Sequence, residues 1–187
     1  MQFIVERVKE LISITEAEED ILRGLSIKKK LAKGEHWLQD GDTCRSLVLI
    51  EEGLVRYYIN HDGIEKTYYF SKRGDFVCDY ESFLPQKPSD KNIQMLEDTS
   101  LYSISYQGLN VLYDQLKQGD RFGRLGLEAV FVSITQQLAS FYRDSPEDRY
   151  RNFLSSFSDI AQRIPQYYIA SYVGIKPQSL SRIRRRG

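Results

Sequence analysis

The spacing of apolar positions changes three times along the chain, and each change marks a new kind of element. Residues 1–13, MQFIVERVKELIS, gather apolar side chains on one face of a short helix. Thr15-Glu16-Ala17-Glu18 then sets a hydroxyl and a carboxylate three residues apart, the spacing at which the two cap a helix start reciprocally, and Gly24 is placed to end that helix. From Ser26 to about Ser105 the texture becomes short segments rich in Val, Ile, Leu and Tyr, broken by LAKGE, QDGD, EEG, NHDG and KRGD. Glycines 34, 41, 53, 63 and 74 fall 7, 12, 10 and 11 residues apart, close to the beat of about 8–12 residues that turns keep in sandwiches and barrels. The middle of the chain is therefore expected to be an all-β roll. Within it Asn60-His61-Asp62-Gly63, between VRYYI and IEKTYYF, predicts a tight hairpin, because Asp-Gly tolerates the left-handed backbone that such a turn needs. His61 then sits at a loop tip, on the surface.

The helical period returns after Ser105. Residues 106–118 predict one helix stopped by Gly119, and Asp120 is a candidate cap for a longer helix through about Arg143. In that helix Leu127, Phe131, Ile134, Leu138 and Phe141 recur at intervals of 4, 3, 4 and 3, the period of a coiled-coil seam. Phe122, Leu125, Ala129 and Val132 form a second apolar stripe on another face. The second stripe is assigned to the roll and the heptad stripe to a copy of the same helix; the alternative places both in one monomeric core. Asp144-Ser145-Pro146-Glu147-Asp148 breaks the long helix and starts another, with Ser145 as cap and Pro146 at the first helical position, and is the expected hinge. Tyr150, Phe153, Leu154 and Phe157 give the new helix one apolar face.

The chain closes with IASYVGIKPQSLSRIRRRG, which fits two helices, Gln166 to Val173 and Pro177 to Arg186, joined at Gly174-Ile175-Lys176. Ala170 is small where the helices approach, Gly174 permits the turn, and Ile169, Val173, Ile175, Leu180 and Ile183 point inward, the spacing of a helix-turn-helix. With Leu180 and Ile183 inward, Gln178, Arg182 and Arg185 share the outward face at i, i+4 and i+7. Gln pairs bidentately with adenine and Arg with guanine. Lys176, Ser179, Ser181, Arg184 and Arg186 suit phosphates, which fix register without reading sequence.

Composition sharpens this picture. The 187 residues are 41% hydrophobic, enough for a sizeable core, and the formal net charge is +0. That neutrality hides an asymmetry: residues 143–187 hold nine Lys/Arg against four Asp/Glu, out of 26 of each in the chain, which leaves 17 bases and 22 acids elsewhere. An acidic body with a basic end suits a polyanionic partner. No apolar run approaches the ~18 residues that cross a bilayer, and the N-terminus lacks the pattern of a secretory leader, so a cytoplasmic protein without membrane contact is expected. Cys44 and Cys78 are the only cysteines, too few for a disulfide framework, a four-thiolate zinc site or a four-cysteine iron–sulfur cluster, and they read as two free buried thiols. His36 and His61 form no His-x-His or His-x-Asp pair on a strand, so no metal, no cofactor and no catalysis are expected.

KKKLAKGEHWLQDGDTCRSLVLIEEGLVRYY and IASYVGIKPQSLSRI together resemble the cyclic-AMP receptor protein and fumarate–nitrate regulator (Crp/Fnr) family of bacterial transcription factors, over nearly the whole chain. The resemblance implies an α+β fold: an N-terminal double-stranded β-helix, a jelly-roll-like β-roll with flanking helices, over residues 1–119; a long dimerisation helix over 120–143; and a helix-turn-helix DNA-binding domain over 144–187. It places Gln178 and Arg182, with Ser179 beside them, where the family contacts bases. Pro177 stands where some relatives carry a reading side chain, so the family's target sequence does not transfer. The sequence stops at Gly187, so the β-hairpin wing that many relatives place after the recognition helix is not expected.

The family's phosphate-binding cassette uses a Gly-Glu pair followed, across a short loop, by Arg-Ser. Here GDFVCDYESFLPQKPSDKNIQMLED carries Cys78-Asp79 and then Ser89-Asp90. Cys78, Asp79, Tyr80, Ser89, Asp90 and Lys91 are thus the candidates for a degenerate effector pocket. Without the arginine the cyclic phosphate lacks a bidentate partner, and Lys87 or Lys91 offers only a point charge on a flexible stem. Cyclic AMP is not expected to bind. The leading expectation is a homodimeric, sequence-specific DNA-binding regulator, with double-stranded DNA as partner, and with an unidentified small-molecule effector and RNA polymerase as further candidates. The alternative is a small-molecule or protein-binding sensor with a vestigial helix-turn-helix.

Overall fold

The computed structural model describes residues 1–186, with side chains through Arg185. Two helices lead in, α1 (Gln2–Lys9) and α2 (Glu16–Leu25). Thr15 and Glu18 form the expected capping box, the Thr15 hydroxyl accepting from the Glu18 N–H and the Glu18 carboxylate accepting from the Thr15 N–H. Gly24 does not end α2. It lies inside the helix, which runs directly into the first strand at Ser26, whose hydroxyl satisfies the Leu22 carbonyl at 2.6 Å.

Eight strands follow: β1 (Ser26–Leu31), β2 (His36–Leu38), β3 (Ser46–Glu52), β4 (Leu54–His61), β5 (Ile64–Lys72), β6 (Phe76–Val77), β7 (Asn92–Met95) and β8 (Thr99–Ser105). They make two antiparallel four-stranded sheets, ordered β1-β8-β3-β6 and β2-β7-β4-β5, with consecutive strands often in opposite sheets. That is the double-stranded roll. The β4–β5 hairpin turns at Asp62 (φ 52°) and Gly63 (φ 77°), the left-handed pair that Asp-Gly supplies. A short helix α3 (Tyr80–Phe83) interrupts the loop between β6 and β7.

One core joins the sheets to the flanking helices, including Ile4, Leu49, Ile50, Val55, Val77, Ile93 and Leu101, each at most 1% exposed. Strand β4 opens with five consecutive buried residues instead of alternating. Its inner side chains, Val55 and Tyr57, face that core, whereas Leu54 belongs to a second apolar cluster on the outer face, shared with the C-terminal helices. A strand covered on both faces loses the polar half of its pattern.

After the roll come α4 (Tyr106–Gln115), α5 (Gly119–Arg143), α6 (Pro146–Ser156), a 3-10 turn (Ala161–Arg163), α7 (Gln166–Val173) and α8 (Pro177–Arg186). Gly119 does not stop a preceding helix; it opens α5, where a Cβ would stand 2.4 Å from the Tyr113 carbonyl oxygen, so only glycine lets α5 start so close to α4. Asp120 lies in the first turn and is not the cap. Ser145 caps α6 by accepting from the Asp148 N–H, with Pro146 at the first position, as expected.

The two stripes of α5 part from expectation. Phe122 is buried and Leu125 half-buried against the roll, but Ala129 is exposed and Val132 is 51% exposed. Beyond Gly126 the helix meets its neighbours through polar residues: the Ser133 hydroxyl lies 3.3 Å from that of Tyr69, and the Gln137 amide donates to the Tyr68 carbonyl at 2.6 Å.

Candidate DNA-binding helix and effector cassette

The last two helices fall on the expected ranges, and Gly174 between them is left-handed (φ 76°, ψ 35°). Its N–H and that of Ile175 close onto the Ser171 and Ala170 carbonyls at 3.0 and 2.9 Å, ending α7 in a tight turn. Ala170 is fully buried, as are Ile169 and Val173, so the two helices approach closely. On α8, Leu180 is 1% exposed and Ile183 half-buried, while Gln178, Ser179, Ser181, Arg182, Arg184 and Arg185, with Lys176 just before the helix, are exposed. Among the described residues no acid pairs with any of these cations. The side chain of Arg186 lies outside the described residues. One face of α8 is thus packed, and the opposite face presents amide, hydroxyl and guanidinium groups to solvent.

The turn is braced from behind. Arg149 on α6 donates to the Val173 carbonyl through Nε and to the Asp144 carbonyl through Nη1, both at 2.8 Å, and its guanidinium stacks 5.3 Å from the Phe141 ring. A Cβ on Gly174 would meet the same Phe141 ring at 3.0 Å. Asp144, at the break between α5 and α6, accepts from Ser140, Arg143 and Asn152. The hydrogen bonds from Arg143 and Ser140 and the Arg143 charge hold its carboxyl below the usual range. The expected hinge is a break in the helix, but a clamped one.

Helices α6 and α7 do not hang free; they dock on the outer face of β4 and β5. Phe70 of β5 packs among Phe153, Phe157 and Tyr172, with ring centroids 6.1, 5.9 and 5.7 Å away. The Thr67 N–H, on the edge strand β5, donates to the Ser171 hydroxyl at 2.8 Å. Arg56 is 1% exposed, its guanidinium sandwiched 4.1 Å from the Tyr58 ring and 3.7 Å from that of Tyr168, with Gln94 and Glu65 accepting its N–H groups. Two ion pairs close the rim, Lys72–Asp159 and the bidentate Arg163–Glu97. Sequence reasoning missed this interface, though an arginine inside the apolar run LVRYYI is a signal that a charge there needs a partner across the outer face.

The heptad positions of α5 are bare. Leu127, Phe131, Ile134, Leu138 and Phe141 are 44–69% exposed, and Val132 joins them. Beyond Gly126 the helix therefore turns polar residues to its own roll and most of its apolar residues to solvent, the reverse of a surface helix.

The cassette candidates are drawn together around one carboxylate. Asp79, 5% exposed at the start of α3, accepts from the Ser89 hydroxyl at 2.7 Å and pairs with Lys91 at 3.4 Å. Lys91 also pairs with Glu81 and, at 3.3 Å, with Asp90, so one ammonium serves three carboxylates. Burial lowers the Lys91 pKa less than Glu81 and the two aspartates raise it, and it stays firmly charged. Inside the roll beside this network, burial pushes Tyr68 and Tyr80 well above the phenol range. Cys78 turns inward, with its sulfur 4.0 Å from that of Cys44. Among the described residues no three His, Cys, Asp or Glu side chains are grouped to hold a metal ion, and no helix is long and apolar enough to cross a membrane.

Residues 28–116 match the family described as the cyclic nucleotide-binding domain. No curated protein matches the chain in sequence. Among solved structures the chain is similar to FixK2 from Bradyrhizobium japonicum, with a TM-score of 0.76 at 16% identity over 86% of this chain and 83% of that one. It is also similar to a protein from Eubacterium rectale assigned to the Crp/Fnr family of transcriptional regulators, with a TM-score of 0.73 at 19% identity over 92% and 83%. A third is the c-di-GMP responsive global regulator CLP from Xanthomonas campestris, with a TM-score of 0.68 at 16% identity over 92% and 91%. At these identities the likeness establishes the fold alone: a β-roll of the kind the family model describes, followed by a long helix and a C-terminal helical unit.

Proposed function

We propose that this chain is a homodimeric, sequence-specific DNA-binding transcriptional regulator of the Crp/Fnr type and not an enzyme. In this reading residues 1–119 are the effector roll, 120–143 the dimerisation helix and 144–187 the helix-turn-helix unit. The observation that carries it is the two-sidedness of α8: Leu180 is held in the core while Gln178, Arg182 and Arg185 stand clear on the opposite face. Those three, with Ser179, read base edges; Lys176, Ser181, Arg184 and Arg186 hold phosphates.

The exposed seam of α5 supports the dimer, because five large apolar side chains at heptad spacing, each about half exposed, gain roughly half of the ~1.5–3 kcal/mol that burial from full exposure brings. Pairing along that seam sets two recognition helices about 34 Å apart, the spacing of adjacent major-groove faces. Phe141 lies at the end of the seam and against the turn of the helix-turn-helix, so the two functions meet in one residue.

The effector pocket reads as degenerate. A cyclic phosphate entering beside Asp79 meets Glu81 and Asp90 as well, and the single cation there is already shared among them. Like charge and a missing guanidinium disfavour cyclic AMP.

The test is fluorescence anisotropy of the protein with labelled duplex DNA across a salt series. Affinity that falls steeply with salt, and that Arg182→Ala makes less discriminating between sequences, supports the reading; no duplex binding at low salt overturns it.

A further inference from the structure

The two cysteines of the chain lie 34 residues apart in sequence, on separate elements, yet their sulfurs are 4.0 Å apart. Cys44 lies in the loop before β3, and Cys78 follows β6 immediately before Asp79. The two segments are already joined: the Cys44 N–H donates to the Ser82 hydroxyl at 2.9 Å, and the Gln86 amide donates to the Cys44 carbonyl at 3.3 Å. Cys44 is 1% exposed, but it lines a solvent-open cleft of about 560 Å³ between β1 and β2, together with Lys29, Lys30, Trp37, Thr43 and Arg45.

We propose that Cys44 and Cys78 are an oxidisable dithiol that a hydroperoxide converts to an intramolecular disulfide. A small oxidant fits the cleft, whereas a bulky one does not reach a side chain so enclosed. Cys44 is the attacking sulfur. The S–H of Cys78 stabilises its thiolate, burial opposes this, and the Asp79 N–H adds to it, leaving Cys44 at about 7. The sulfur of Cys44 and burial push Cys78 up, keeping it protonated.

The steps balance. The Cys44 thiolate attacks the terminal peroxide oxygen; the S–O bond forms, the O–O bond breaks, and the departing hydroxide, or alkoxide from an organic hydroperoxide, takes a proton from solvent to become water or the alcohol. Cys78, losing its proton, then attacks the Cys44 sulfenic acid; the S–S bond forms, the S–O bond breaks, and hydroxide leaves with that proton as water. Two thiols lose two electrons and the peroxide gains them. The cross-link ties the start of β3 to the start of α3, which carries Asp79, so the segment that faces the effector pocket is fixed covalently.

The test treats the reduced full-length protein with a small excess of hydrogen peroxide, then denatures and alkylates it. The expected result is joint loss of both alkylatable thiols, an intact mass lighter by two hydrogens, a peptide joining Cys44 to Cys78, and restoration of both thiols by dithiothreitol. Both thiols remaining alkylatable, or either passing to sulfinic acid without a cross-link, overturns the proposal. Cys78→Ser is expected to accumulate a Cys44 sulfenic acid that dimedone traps, and Cys44→Ser to leave Cys78 unreactive; the opposite order overturns the assignment of the attacking sulfur. The wild-type measurement stands whether or not the variants fold.

Discussion

The guanidinium of Arg56, on the roll, lies 3.7 Å from the ring centroid of Tyr168, on the first of the two C-terminal helices. Burying that charge is tolerable because Tyr58 covers its other face and Glu65 and Gln94 accept its N–H groups. The pair is therefore one of the contacts that couple the roll to the C-terminal helical unit, beside the Phe70 cluster and the Lys72–Asp159 and Arg163–Glu97 ion pairs.

Removing the ring tests the coupling. Tyr168→Ala is expected to destabilise the protein by about 1–3 kcal/mol, from the lost stack and the cavity, and to speed proteolysis near Asp144–Pro146. Tyr168→Phe keeps the ring over Arg56 and is expected to behave like the wild type in thermal melts and limited proteolysis. Equal loss in both variants would assign the effect to the hydroxyl instead.

A charge on the bare seam of the long helix probes assembly. Phe131 is 69% exposed in the single chain, so Phe131→Asp leaves the fold intact, within about 0.5 kcal/mol. In the dimer it buries two like charges face to face. Sedimentation is expected to show a dimer for the wild type and a monomer for the variant, and DNA affinity is expected to fall with it.

Acid should loosen the roll from the helical unit before it unfolds either. The hydrogen bonds from Arg163 hold the Glu97 carboxyl below its ordinary value of 4.5, and burial opposes them only in part. The hydrogen bond from Lys72 lowers Asp159 in the same way. A carboxyl depressed in the folded state contributes fully above the ordinary carboxylate range, and the contribution is lost as pH falls through the lowered folded value. Proteolysis between the two parts is therefore expected to accelerate below about pH 4.5, in the window set by these two groups. Glu97→Gln is expected to flatten that dependence.

Cyclic AMP provides the test of the cassette. A ligand at a hundred times its dissociation constant would stabilise the fold by about 2.7 kcal/mol, a shift easily read in a thermal melt. No shift is expected, because Asp79, Glu81 and Asp90 already surround the one ammonium of Lys91. A saturable shift would contradict the reading of the pocket as degenerate.

Local signals in the sequence carried much of this structure. The capping box at Thr15 and Glu18, the Asp62-Gly63 turn and both ends of the last two helices were legible, since each depends on residues within a few positions of one another. Gly24 and Gly119 misled because a glycine signals permission for an unusual backbone and not the reason for it; at Gly119 the reason is a close approach to Tyr113. The docking of Phe153, Phe157 and Tyr172 on Phe70 was not legible, because periodicity says that a helix face is apolar and is silent on which surface covers it. The same limit hid the meeting of Cys44 with Cys78, and it sent Val132 to the roll when that residue faces solvent beside the seam.

If Gln178 and Arg182 read DNA from a symmetric pair of helices, selection of binding sites from random duplex DNA will recover a symmetric sequence. The expected result is enrichment of a near-palindrome whose half-sites lie about one helical turn apart, with Arg182→Ala relaxing preference at one position in each half and costing about 1–3 kcal/mol. Recovery of no common sequence, or of one that Arg182→Ala leaves unchanged, would contradict it.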